Sequence, residues 1–257
     1  MAGPAAGRLT TVVAPAKLTV SLRVTGVRPD GYHLVDAEMV SIDLADELTF
    51  AGGDGLEVVA GGPGNGGGEG FAAVAGLEVV QSADNLVARA LRAVGRTARV
   101  RLVKRIPVGG GLGGGSTDAA AVLRWAGCRE VAVAASLGAD VPFCLSGGRA
   151  RVTGVGETVE PLPFAARTFT LATPPFGCST PAVYRAWDRL GGPRADGPND
   201  LEPAALVVEP RLAGWRDELA AATGRMPVLA GSGSTWFVDG DHPGPGRAVV
   251  HTVPSYG

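Results

Sequence analysis

Apolar and polar residues alternate over residues 17–24, KLTVSLRV, which predicts a strand; the β-branched run at 9–14 predicts another, or the front of the same one. RPDGYH, residues 28–33, puts Pro, Asp and Gly in a row and predicts a turn. A strand pair follows at 40–44 and 47–50, then a Gly-rich surface loop over 51–70 holding the low-complexity patch AGGPGNGGGEG. The period shifts to a helical one in NLVARALRAV, started by Asp84 or Asn85. Alternation returns in RVRLVKRIPV, residues 99–108, as a strand. A helix then runs to about Trp125, a short one spans 130–137, and 149–155 with 157–162 form a hairpin. Residues 168–173 predict a strand and STPAVYRAWDRL a capped helix. Residues 198–206 and 210–223 have helical patterns, MPVLAGSGSTWFVDG reads strand, glycine turn, strand, and AVVHTVP is a last strand. The mixture lacks a regular βαβ repeat and predicts an α+β fold. A break near 155–165 divides it into residues 1–158 and 159–257.

The chain has 257 residues, enough for one unit of two lobes. Its 23 Lys and Arg nearly balance 25 Asp and Glu, and no basic stripe stands out, so nucleic acid is not an expected partner. No apolar run reaches the roughly eighteen residues of a membrane span. The N-terminus lacks the charged region and long apolar core of a signal peptide, so neither membrane nor export is expected. Cys128, Cys144 and Cys178 fit neither a disulfide framework nor a zinc pattern. The expected place is a reducing cytoplasm, with no metal held by protein ligands alone. Lysine survives only at Lys17 and Lys104 in a chain that otherwise uses arginine, a hint that an ammonium is needed at both.

The densest chemistry lies at residues 108–120, VGGGLGGGSTDAA. Glycines let the backbone take positive φ and let an anion approach the main chain. Ser116, Thr117 and Asp118 are residues that start helices. A glycine loop running into a helix aims free N–H groups and the positive end of the helix dipole at one point, which makes a phosphate site. A plain linker does not lead straight into a capped apolar helix. A dinucleotide site matches Gly109, Gly111 and Gly114 but lacks the second strand with its acid. A Walker loop would need a lysine that is absent.

Three further segments accompany the loop: APAKLTVSL with Lys17, GADVPF with Asp140, and the GSGST turn at 231–235. Together they resemble the GHMP kinase superfamily. RPDGYH with GADVPF narrows the likeness to members that act on a cytidine-diphosphate alcohol of the non-mevalonate isoprenoid route. The resemblance covers residues 14 to about 237. It implies two lobes with the site in the cleft between them, and transfer of the γ-phosphoryl of ATP, with Mg²⁺, to the 2-hydroxyl of the diphosphocytidyl derivative of 2-C-methyl-D-erythritol. Small molecules are the implied partners, and the implied state is a monomer or weak homodimer.

The same resemblance distributes the residues. Asp140 becomes the base toward the substrate hydroxyl, and Lys17 pairs with it and faces the γ-phosphate. Asn85 and Lys104 map to the adenosine pocket. Pro107, Val108, Gly109, Gly110, Gly111, Leu112, Gly113, Gly114, Gly115, Ser116 and Thr117 form the phosphate loop, with the Ser116 hydroxyl either donating to a phosphate or sitting near the metal. Tyr32 and Tyr184 match rings that sandwich the cytosine, and His33 the residue that hydrogen-bonds its edge. Thr19, Thr180, Gly233 and Ser234 match polar positions near the substrate. Tyr184 also stands at helical spacing with Val183 and Trp187, so core packing competes for it. Thr19 departs from the family pattern, where Asn is usual, and so loses an amide donor. The chain is also trimmed between Trp125 and Gly138 and after Phe237. Two other readings stay open: a GHMP-type kinase of homoserine, mevalonate or a sugar, and an inactive nucleotide-binding homologue.

Overall fold

The computed structural model describes residues 9–62 and 84–256. Strands β1 (Thr10–Val27) and β2 (His33–Ala51) are long and antiparallel, joined by the RPDGYH turn. Both are longer than their sequence pattern suggests. Residues 40–44 and 47–50 belong to one strand, because the inward series Val40, Ile42, Leu44, Asp46, Leu48 and Phe50 keeps its period of two without a break. β1 runs on past Pro15 because register shifts at Pro15/Lys17, Thr19/Ser21 and Val24/Gly26 absorb the irregularities.

The Gly-rich stretch expected to be all loop carries β3 (Gly55–Ala60), which pairs parallel to β4 (Arg99–Lys104). Four of its six residues, LEVV, favour a strand once a partner edge is offered. Residues 63–70 of that patch lie outside the described residues. β5 (Arg149–Gly154) and β6 (Thr158–Pro161) form the expected hairpin. The sheet order is β3-β4-β2-β5-β6, with β1 on β2; β4 and β5 share one edge of β2, at residues 47–51 and 35–40.

Four helices accompany this sheet: α1 (Leu86–Ala93), α2 (Gly114–Trp125), α3 (Val131–Leu137) and α4 (Val141–Ser146). Asn85 caps α1, its side chain accepting from the Val87 amide at 2.9 Å. α2 is buried through Ala119–Leu123, so it is a central helix with little exposed face. α4 was not expected. Pro142 stands in its first turn, where the missing N–H costs nothing.

The second sheet is antiparallel throughout, in the order β10-β7-β9-β8: β7 (Thr168–Ala172), β8 (Val228–Leu229), β9 (Trp236–Asp239) and β10 (Arg247–His251). It is accompanied by α5 (Thr180–Arg189), α6 (Glu202–Val208) and α7 (Leu212–Thr223). α6 starts later than its pattern suggests. Asn199 holds the preceding turn instead, donating to the carbonyls of Leu229 and Gly231 and accepting from the Leu201 amide. An apolar cluster of Leu18, Val40, Ile42, Phe169, Leu171 and Phe237 draws on both sheets, and the Val253 amide bonds the Ser41 carbonyl at 2.9 Å. The class is α+β, as the pattern predicts.

Candidate active site

The glycine loop is held rather than free. The Lys17 amide donates to Leu112 O at 3.1 Å, the Thr235 amide to Gly110 O at 3.1 Å, and the Cys178 amide to Gly109 O at 3.3 Å. One loop thus ties β1, the GSGST turn and the approach to α5. Gly109, Gly111 and Gly113 take φ of 73°, 79° and 70°, in the left-handed region that favours glycine. Gly113 is also the cap of α2, with no side-chain cap bond. The start of α2 therefore presents main-chain amides with no capping side chain over them, where the dipole favours an anion. This differs from the sequence expectation: Ser116, Thr117 and Asp118 lie inside the first turns of α2, not at its cap.

Gly111 admits no side chain. A Cβ there would overlap Ala230 O, just before the GSGST turn, and stand 2.8 Å from Gly233 O within it, both backbone atoms. Gly111→Ala is expected to push the loop off that turn and lower kcat/KM for ATP roughly a hundredfold, by displacing amides aimed at developing charge. Folding should be largely retained, so a far-ultraviolet CD spectrum close to wild type should accompany the kinetic loss.

Lys17 and Asp140 meet across the loop. Lys17 Nζ lies 3.3 Å from Asp140 Oδ2, with the lysine side chain buried and the carboxylate one-third exposed. Lys17 follows directly on the register shift at Pro15/Lys17 in β1. Asp140 immediately precedes α4 but makes no cap bond, which leaves its carboxylate to Lys17. Lys17 Nζ also donates to Thr19 Oγ1 at 3.1 Å. At the departing position, threonine thus supplies an acceptor for the lysine.

Lys104, at the end of β4, is buried between two acids. It donates to Asp46 Oδ2 and, at 2.8 Å, to Asp118 Oδ2. Asp46 Oδ1 also accepts the amides of Arg105 and Ile106 at 2.5 and 2.9 Å. Asp118 Oδ1 has no partner. Burial, outweighing the opposing pull of Lys104, pushes Asp118 up to about 7. Burial alone would lower Lys104; the two carboxylates outweigh it and hold the ammonium above its ordinary value.

The far end of the cleft is aromatic. His33, at the start of β2, has its ring centroid 4.6 Å from that of Tyr184, tilted by 34°, and 5.5 Å from that of Trp187 in a T-shaped pair. Tyr32 stands 64% exposed at the rim. The expected sandwich of Tyr32 and Tyr184 is therefore not a pre-formed slot, because His33 occupies one approach to Tyr184. Thr180 Oγ1 and Ser232 Oγ lie 2.7 Å apart, linking α5 to the GSGST turn.

One cleft of about 800 Å³ is lined by Lys17, Thr19, Tyr32, His33, Asn85, Lys104, residues 107–116, Asp140, Thr180, Tyr184 and Gly233. Two expected residues do not line it. Thr117 is buried and donates to Pro15 O at 2.7 Å, and Ser234 donates to Phe176 O at 2.6 Å. Asp118, Asp188 and Arg185 line the cleft without having been expected there.

Residues 85–148 match the family model of the GHMP kinases N terminal domain. The chain is 40% identical over 243 residues to the 4-diphosphocytidyl-2-C-methyl-D-erythritol kinase of Paracoccus denitrificans, covering 87% of this chain and 84% of that protein. It is 37% identical over 273 residues to the protein of the same name from Cereibacter sphaeroides strain ATCC 17025, covering 95% and 94%. The chain belongs to the 4-diphosphocytidyl-2-C-methyl-D-erythritol kinase family. A crystal structure of 4-(cytidine 5'-diphospho)-2C-methyl-D-erythritol kinase superposes with a TM-score of 0.70 at 30% identity, covering 95% of this chain and 99% of that one. The homoserine kinase of Cytophaga hutchinsonii, at 18% identity and a TM-score of 0.56 over 99% and 98% of the chains, shares the fold. In this member of the 4-diphosphocytidyl-2-C-methyl-D-erythritol kinase family, Cys128, Cys144 and Cys178 are all unpaired. Cys144 is buried, and burial pushes its thiol up to about 12, which disfavours the thiolate form. No helix among the described residues is long and apolar enough to cross a membrane.

Proposed function

We propose that the protein transfers the γ-phosphoryl of ATP to the 2-hydroxyl of 4-diphosphocytidyl-2-C-methyl-D-erythritol. The observation that carries this reading is the Lys17–Asp140 pair, 3.3 Å apart, in one cleft that the glycine loop, His33 and Tyr184 also line. Phosphoryl transfer asks the protein for positioning and charge stabilisation more than for covalent chemistry. The main chain at the start of α2 cradles the phosphates. Asp140 Oδ2 receives or orients the substrate hydroxyl proton, and Lys17, 3.3 Å from it, faces the charge that develops on the transferring group.

Asn85 and Lys104 also line the cleft, and the adenosine half would lie against them. Among the described residues, no cluster of three or more His, Cys, Asp or Glu makes a site that would hold a metal by itself. Such a cleft fits Mg²⁺, which keeps several waters and arrives on nucleotide phosphates with one or two protein oxygens. Ser116 is the residue that would hold it, and the ion would neutralise the β- and γ-phosphate oxygens. In the same cleft Tyr184 offers a ring face to a base, His33 a ring nitrogen to the edge of the base, and Tyr32 closes from the rim. We assign residues 1–158 to the ATP lobe and 159–257 to the second lobe, with the protein acting in the cytoplasm as a monomer or weak homodimer.

The test is ATP-dependent phosphorylation of the cytidyl alcohol, homoserine and mevalonate in parallel. Turnover of the cytidyl alcohol is expected. Turnover of homoserine or mevalonate alone overturns the substrate, and no turnover of any, with ATP still bound, overturns the activity.

A further inference from the structure

His33 is gripped by one face of α5. Tyr184, Trp187 and Asp188 stand at i, i+3 and i+4, the spacing that brings side chains together on a helix. Tyr184 covers the imidazole face, Trp187 meets it edge-on, and Asp188 Oδ1 lies 2.7 Å from His33 Nε2. The His33 side chain is only 9% exposed, so the ring has little room to turn. A carboxylate accepts and never donates, so the proton of a neutral ring sits on Nε2. Nδ1 is then a bare acceptor, and it makes no hydrogen bond to another described residue. His33, Asp188 and Tyr184 all line the cleft.

We infer that Asp188 is a positioning residue for base specificity: by fixing the proton on His33 Nε2, it makes Nδ1 an acceptor that selects a cytosine over a uracil. The inference rests on the cytidyl reading given above. Cytosine carries an amine at C4, a donor that pairs with a bare Nδ1; uracil carries a carbonyl there, which would set two acceptors against each other. A site built to pair one polar group rejects the analogue that leaves it unpaired.

The test measures kcat and KM for the cytidyl alcohol and its uridyl analogue with wild type, Asp188→Ala, Asp188→Asn and Asp188→Glu. The Ala variant is expected to raise the cytidyl KM roughly tenfold, as loss of one charge-assisted hydrogen bond does, with kcat and the ATP KM within about twofold. Its preference for cytidyl over uridyl should narrow by a similar factor. The Asn variant keeps the shape, but its amide can either accept from Nε2 or donate to it, so its preference should narrow as well. The Glu variant should restore most of the preference. Nitrogen-15 NMR reads the tautomer directly, and assignment is simple with three histidines in the chain. The Nε2–H form is expected in wild type and a mixture in Asp188→Asn. A wild type that phosphorylates the cytidyl alcohol while Asp188→Ala and Asp188→Asn keep its base preference overturns the role of Asp188 alone. A wild type inert toward the cytidyl alcohol overturns the functional reading and this inference with it.

Discussion

Asp140→Asn lowers kcat by about two to four orders of magnitude and leaves ATP affinity within about twofold, the expected loss for a positioned acid–base group that does not touch the nucleotide. Asparagine keeps the size of the side chain and removes its charge. Lys17 Nζ, 3.3 Å away and buried, would keep Thr19 Oγ1, at 3.1 Å, and an amide oxygen, but lose its charged partner. The substrate hydroxyl would keep an amide oxygen beside it but lose the carboxylate that can receive its proton. The loop amides are untouched, because Asp140 makes no cap bond and the loop is anchored through Leu112, Gly110 and Gly109. Single-turnover rates with saturating ATP, together with a nucleotide titration, separate the two effects. A variant that retains more than about a third of wild-type kcat removes Asp140 from the chemical step.

The chemistry of the cleft was legible where it depends on main-chain freedom and on short segments. The glycine loop announced itself because several positive φ angles in a row admit few other residues. Lys17 was marked by its rarity, and its partner Asp140 by the GADVPF segment and the likeness it carries. The strands were legible in type and not in length: the Ala45-Asp46 step looked like an interruption of β2, yet the inward series passes through it. That same step held an unread signal. An acid at an inward position of an alternating strand must find a buried cation, and Lys104 is one of only two lysines. Asp118 was read as a helix start and instead faces Lys104 from within α2, because the left-handed Gly113 already ends the loop. Asp188 gave no signal, since its partner lies 155 residues earlier and the pairing depends on how α5 meets β2. Thr117 and Ser234 have hydroxyl chemistry suited to a ligand, but their backbone directions hand those hydroxyls to Pro15 and Phe176.

The two acids around Lys104 are expected to behave in opposite ways. Asp46→Ala removes the acceptor of a buried ammonium and of two backbone amides, those of Arg105 and Ile106. Breaking a buried ion pair from one side costs about 3–5 kcal/mol, since the remaining charge stays desolvated. At this chain length that corresponds to a fall in Tm of roughly 10 °C. Asp118 is the less satisfied acid: Oδ1 has no partner, and burial has pushed the group up to about 7. A carboxyl whose folded pKa is raised above its unfolded value of 3.8 binds more protons in the folded state between the two. Its contribution to stability is therefore fully present below about pH 4 and is lost as pH rises to about 7. Asp118→Asn removes that titration and leaves Lys104 paired with Asp46. It is expected to flatten stability between pH 5 and 8 and, at pH 8, to unfold no more easily than wild type. Urea unfolding of both variants at pH 5 and pH 8 checks the pair. Equal destabilisation by the two, with the same pH slope as wild type, would mean that the acids share the ammonium evenly and that Asp118 is ionised throughout.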